Sequence, residues 1–113
     1  MRDDESWLRD VYDSGRLIIN FTDGMDLSSF LKDLKTQSAV LHRILIMGEA
    51  VKRLSTGVRE SNPEIDWRGV AGMRDKLIHD YHQVLIRRVW IVATRYVPRL
   101  LGQIEPLLQD PEA

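Results

Sequence analysis

The stretch 33–59 constrains the fold most. Val40, Leu41, Ile44, Leu45, Met47, Ala50, Val51 and Leu54 recur there at helical spacing and cover more than half of a helix circumference. Only a narrow polar strip of His42, Glu49 and Arg53 remains. A helix this apolar belongs at the centre of a bundle or in an interface between copies. The flanking segments supply its neighbours. Trp7, Val11, Ile18 and Phe21 follow at offsets of four, seven and three, one stripe of a helix over 3–22, closed by Thr22, Asp23 and Gly24. Asp26 or Ser28 can cap a short turn through Phe30 and Leu31, and Asp33 the next, long helix.

Punctuation divides the rest. Ser61, Asn62, Pro63 and Glu64 interrupt the pattern, because a proline disfavours helix in the residue before it. A third helix is expected over 67–81. A fourth is expected over 85–109, with Val89, Ala93, Tyr96, Leu100, Ile104 and Leu107 inward and a kink at Pro98. The reading is all-α: an antiparallel bundle of four to five helices in one domain, 1–113, without repeat or linker. At 113 residues such a bundle is better stabilised by packing on a second copy, so a homodimer is expected.

Charge and composition narrow the chemistry. Sixteen basic against 17 acidic residues leave a net charge of −1, so any nucleic-acid site must be local. With no cysteine there is no disulfide, thiolate zinc site or cysteine nucleophile. The charged opening is unlike a signal peptide, and no apolar run nears the roughly 20 residues of a membrane span. A cytoplasmic protein without membrane contact is expected.

The chemically equipped segment is 73–82, with Arg74, Asp75, Lys76, His79, Asp80, Tyr81 and His82. Arginine offers a permanent charge and a planar fork of donors for phosphate oxygens, and histidine titrates near neutrality. RNA carries its own nucleophile, the 2′-hydroxyl. Its cleavage therefore needs a base, an acid and charge stabilisation at phosphorus, with neither metal nor cofactor obligatory. His79 and Arg74 suit these tasks. Five helical residues turn through about 500°, however, which sets the two about 140° apart on a straight helix. Either the helix loosens near His79, or a dimer brings two copies of the pair to one cleft; the second option also accounts for the apolar excess of the long helix. Asp75, four residues before His79, can accept a hydrogen bond from the imidazole and fix its tautomer. Tyr81, seven residues past Arg74, lies nearly in line with it if the helix continues.

Bland readings stand beside these. Glu49 and Arg53 are most simply an intrahelical ion pair without a chemical role. Arg88, Arg95 and Arg99 share one face of the fourth helix, which is either an ordinary solvated stripe or, with Lys76, a set of contacts to an RNA backbone. Asp75, His79 and His82 fall at i, i+4 and i+7, a spacing from which a metal-dependent hydrolase could be built.

The spacing Arg74-x4-His79-x-Tyr81 resembles the signature of the HEPN superfamily, specifically its HepT-like branch. The likeness extends over nearly the whole chain in four ordered blocks: KTQSAV at 35–40, IMGEAVKRL at 46–54, PEIDWR at 63–68 and GMRDKLIHDY at 72–81. This resemblance implies an all-helical homodimer with metal-independent endoribonuclease activity at a composite site between protomers. It also implies the toxin half of a type VII-like toxin–antitoxin system. The partner would be a minimal nucleotidyltransferase (MntA-like) antitoxin. By the same likeness Arg74 and His79 are catalytic, and Tyr81 is the residue onto which the antitoxin transfers AMP. The chain departs from the family pattern at three positions: Asp75 where asparagine is frequent, His82 where an aromatic residue is common, and Leu85 where an aspartate would cap the fourth helix. The departures leave a rival reading, a non-catalytic HEPN dimer that serves as a scaffold for a nucleotidyltransferase.

Overall fold

A computed structural model describes residues 2–110, and within them the chain is all-α. The helices are α1 (Asp4–Thr22), α2 (Leu27–Leu31), α3 (Leu34–Arg53), α4 (Thr56–Ser61), α5 (Trp67–His79), α6 (Ile86–Ile91) and α7 (Val97–Ile104). Local chemistry sets their starts. Asp3, Asp26, Asp33, Ser55 and Asp66 each accept a backbone N–H from the first turn of the helix they precede, satisfying a donor with no partner inside the helix.

α3 is the central element. It packs antiparallel to α1 on one side and to α5 on the other, and α7 closes the bundle against α1. The apolar residues of α3 are consumed by these contacts: Val40, Leu41, Ile44, Met47, Ala50 and Val51 are all buried within one chain. The apolar excess of the long helix is therefore accounted for without a second copy. The large apolar side chains that do remain exposed are Leu34 at the very start of α3, Ile78, Tyr81 and Leu85 beyond the middle of α5, and Ile19 and Ile91 at scattered positions. No described helix is long and apolar enough to cross a membrane.

Three boundaries differ from those expected from periodicity. The long helix stops at Arg53 rather than near residue 59, because Leu54 turns extended (ψ 145°) to place its side chain in the core. Ser55 then starts α4. A tertiary contact holds this break: the Asp4 carboxylate accepts the Ser55 N–H at 2.9 Å and its hydroxyl at 2.7 Å. These two bonds also lower the Asp4 pKa, the backbone bond most.

α5 ends at His79, two residues early. Asp80 leaves helical geometry (φ −134°, ψ 41°), and Tyr81–Gln83 form a separate 3₁₀ turn. Asp, Tyr and His are all indifferent helix formers, so little local preference carries the helix on through 80–82. The expected fourth helix is four segments: α6, a π-turn, α7 and a 3₁₀ turn. Val92–Tyr96 form a π-turn, in which the Val97 N–H reaches back five residues to the Val92 carbonyl, and a 3₁₀ turn over Glu105–Leu107 ends the bundle. Pro98 lacks an N–H and would press on the carbonyl of Thr94 in a regular helix; the widened turn accommodates it. The kink is thus a π-turn that precedes the proline. Its extra residue carries Tyr96 over to α5, where the phenol donates to the Asp66 carbonyl and carboxylate, each at 3.2 Å. Burial, with the Asp66 charge and hydrogen bond, raises the Tyr96 phenol to about 12.

Candidate functional site

Arg74 lies on the flank of α5 that faces α3, and glycine makes its position possible. A Cβ built on Gly48 would fall 2.1 Å from the Arg74 Cβ and 3.1 Å from the Val70 carbonyl. At that crossing the two backbones approach so closely that only a hydrogen fits. The Arg74 guanidinium emerges beside the next residue of α3, and its Nη2 lies 3.0 Å from Glu49 Oε2. Its Nη1 donates to Asp75 Oδ1 at 2.9 Å, and Lys52 Nζ donates to the same oxygen at 2.7 Å. Arg53 joins Glu49 at 3.2 Å. Five charges thus form a chain, Arg53, Glu49, Arg74, Asp75 and Lys52, with Arg74 in the middle and the most shielded of them. The hydrogen bonds from Lys52 and then Arg74 hold the Asp75 carboxyl below the ordinary range.

This arrangement revises the part assigned to Asp75. Its carboxylate is drawn sideways to Lys52 and Arg74, and among the described residues no hydrogen bond joins it to His79. Among the described residues Asp75 is bonded to the arginine and not to the imidazole. Glu49, read in the sequence as half of an intrahelical pair, does pair with Arg53 but also grips Arg74. Periodicity placed Glu49 on the polar strip of its helix; that the strip faces Arg74 is a tertiary fact.

His79 is the last residue of α5 and is exposed. The helix is regular up to that point, so His79 stays about 140° around the axis from Arg74. It does not converge on Arg74 within one chain. Tyr81 is not in line with Arg74, since the helix has already ended; the residue is 53% exposed and its ring meets His82 edge-on at 6.0 Å. The face shared by Asp75, His79 and His82 is lost for the same reason, because His82 lies past the helix end. Among the described residues no group of three or more His, Asp or Glu side chains is arranged to hold a metal ion.

Two of the concavities beside α5 reach its C-terminal half. The larger, about 650 Å³, is a mainly apolar groove between α5 and α6, with Lys76, Asp80 and Arg88 among its lining. The smaller, about 310 Å³, lies between α3 and the end of α5 and includes Tyr81. Of the basic residues considered for RNA contact, Lys76 and Arg88 share the large groove. Arg99 instead lines a separate hollow with Glu64, Asp66 and Tyr96. Arg95 stands exposed on the π-turn. The single face expected for Arg88, Arg95 and Arg99 is broken because the π-turn adds a residue and rotates the rest of the helical run by about 100°. Leu85 precedes α6 without a side-chain cap, as its sequence position suggests.

The family pattern described as Ribonuclease HepT-like matches residues 12–107. A Thermococcus cleftensis protein named "Probable ribonuclease HepT" is 40% identical over 94% of this chain and 96% of its own length. A Methanocaldococcus jannaschii protein described as a "putative RNase" is 37% identical over 98% of this chain and 92% of its own. A Caldanaerobacter subterraneus protein of the same description is 33% identical over 96% of this chain and 97% of its own. No solved structure matches the chain. Because these likenesses run end to end through the bundle and take in all of residues 74–81, the chain belongs to the ribonuclease HepT-like family.

Proposed function

We propose that this protein is a metal-independent endoribonuclease that acts as the toxin of a toxin–antitoxin pair, with Arg74 and His79 as its catalytic residues. One observation carries the reading. α5 presents a guanidinium held in place by Glu49 and Asp75, and at its end an exposed imidazole on a different face. Each chain thus offers two half-sites that a second copy completes. Arg74 has five N–H donors, more than its two carboxylate partners require, so it can bind a phosphate oxygen while remaining oriented. His79 exchanges protons with the 2′-hydroxyl or the leaving oxygen, and Arg74 stabilises the charge that builds on phosphorus. Tyr81 is the AMP acceptor for a minimal nucleotidyltransferase antitoxin. The exposure of Tyr81 suits a modifying enzyme, and the added phosphate and adenosine would crowd the α3–α5 face along which the Arg74 site lies.

The test is complementation in trans. Purified Arg74→Ala and His79→Ala chains should each fail to cut RNA in the presence of EDTA. Mixed and allowed to exchange, they should regain part of the activity, because one composite site then has both residues. If the mixture stays inactive while wild type cuts, the site is not shared between copies; if wild type cuts no RNA and does not arrest growth, the toxin reading is wrong. Mass spectrometry after co-expression with a neighbouring nucleotidyltransferase should show an AMP adduct that Tyr81→Phe removes. The scaffold reading is favoured by one feature, the two carboxylates already occupying Arg74. It predicts that His79→Ala leaves every cellular phenotype unchanged.

A further inference from the structure

Ser38, His42, Leu45 and Glu49 lie at i, i+4, i+7 and i+11 on α3, a single stripe along the helix. At its C-terminal end Glu49 holds Arg74. At the other end the stripe borders the 310 Å³ hollow, whose lining includes Ser38, His42 and Leu45 from α3, Leu77 and Ile78 from α5, and Tyr81 from the turn beyond. His42 precedes Glu49 by seven residues, so the hollow and the Arg74 site lie about 10 Å apart along one face of the α3–α5 pair.

We propose that this hollow is a nucleobase pocket for an unpaired base of the RNA that Arg74 binds through phosphate. The inference rests on the ribonuclease reading and adds a specificity site to it. The chemistry of the lining selects the occupant. An exposed aromatic ring offers a stacking face, the leucine and isoleucine side chains form apolar walls, and Ser38 and His42 offer donors and acceptors to a base edge. The volume is at the small end for ligand sites, which suits one ring system and leaves the sugar and phosphate outside, toward the cation. A base in a regular duplex is stacked and cannot enter, so the pocket favours single-stranded RNA. Near-zero net charge makes such a contact useful, because phosphate attraction alone gives the protein little hold on its substrate.

The experiment reads binding separately from cleavage. Single-stranded RNA oligonucleotides with 2′-O-methyl sugars, which lack the nucleophile, are titrated into the wild-type protein by fluorescence anisotropy. Abasic sites are introduced one position at a time. One position should weaken binding by about tenfold when its base is removed, the size expected for a stacked base. Leu45→Trp, which fills the hollow, should weaken the intact oligonucleotide to the same extent, have no effect on the oligonucleotide abasic at that position, and keep the wild-type circular dichroism. His42→Ala should lessen the abasic penalty with less risk to packing. Equal affinity for every abasic variant, or equal weakening of intact and abasic RNA by Leu45→Trp, overturns the pocket. Base-dependent binding by a protein that cuts no unmodified RNA would uphold the pocket and refute the nuclease.

Discussion

Gly48→Ala sets two effects of opposite sign against each other. In an ordinary exposed helix the substitution stabilises by about 1 kcal/mol, since alanine loses less backbone entropy than glycine. At the α3–α5 crossing the new methyl would sit 2.1 Å from the Arg74 Cβ, whereas ordinary contact begins at 3.4 Å. The obstruction is a Cβ and a carbonyl oxygen rather than the far end of a side chain, so the helices must part by roughly 1 Å or more. Val70, Met47 and Val51 are buried in this region and lose packing when that happens. Overpacking of this kind costs about 1–3 kcal/mol, and a displacement of backbone belongs at the upper end. The net effect is a destabilisation of about 1–2 kcal/mol, read as a lower urea midpoint at an unchanged m-value. Because Glu49 adjoins Gly48, the same displacement should disturb the 3.0 Å contact with Arg74 and lower RNA cleavage more than it lowers the folded fraction. A Gly48→Ala protein as stable as wild type, or more so, would refute the close-approach argument.

Other perturbations probe separate joints. Tyr96→Phe removes a phenol whose pKa is raised to about 12 in the fold. A raised pKa contributes stability below the unfolded value near 10, lost as pH rises toward 12. Wild type should therefore lose stability between pH 10 and 12 through this group, and pH-dependent urea melts of Tyr96→Phe should lack that increment. Ser55→Ala deletes both the α4 cap and a hydroxyl bond to Asp4, and should cost about 1 kcal/mol in chemical denaturation. Asp75→Asn should lower cleavage through Arg74 and leave its pH profile unshifted, because the carboxylate bonds Lys52 and Arg74 and not His79; a displaced profile would restore a direct link to the imidazole. Glu49→Gln keeps the shape and removes the charge, and should weaken activity while rescuing more than Glu49→Ala does.

Much of this protein follows from periodicity and capping. Helices repeat their chemistry every 3.6 residues, so the central helix, its two apolar neighbours and the helical class could be read from the positions of Val11, Ile44, Val51 and their like. Asp26, Asp33 and similar caps act on N–H groups two or three residues away and are equally local. The four ordered blocks brought Arg74, His79 and Tyr81 into view as a set. What the sequence could not determine depends on contacts between residues far apart along the chain. The break at Leu54 relies on Asp4, 51 residues upstream of Ser55. Asp75 chose Lys52 over His79, and Glu49 acquired a second partner, because Gly48 lets two helices approach until their charges meet. Spacing along one helix reports which residues share a face; which partner a charged side chain on that face takes is decided by whatever the rest of the fold brings within about 3 Å, since a hydrogen bond weakens steeply beyond that range.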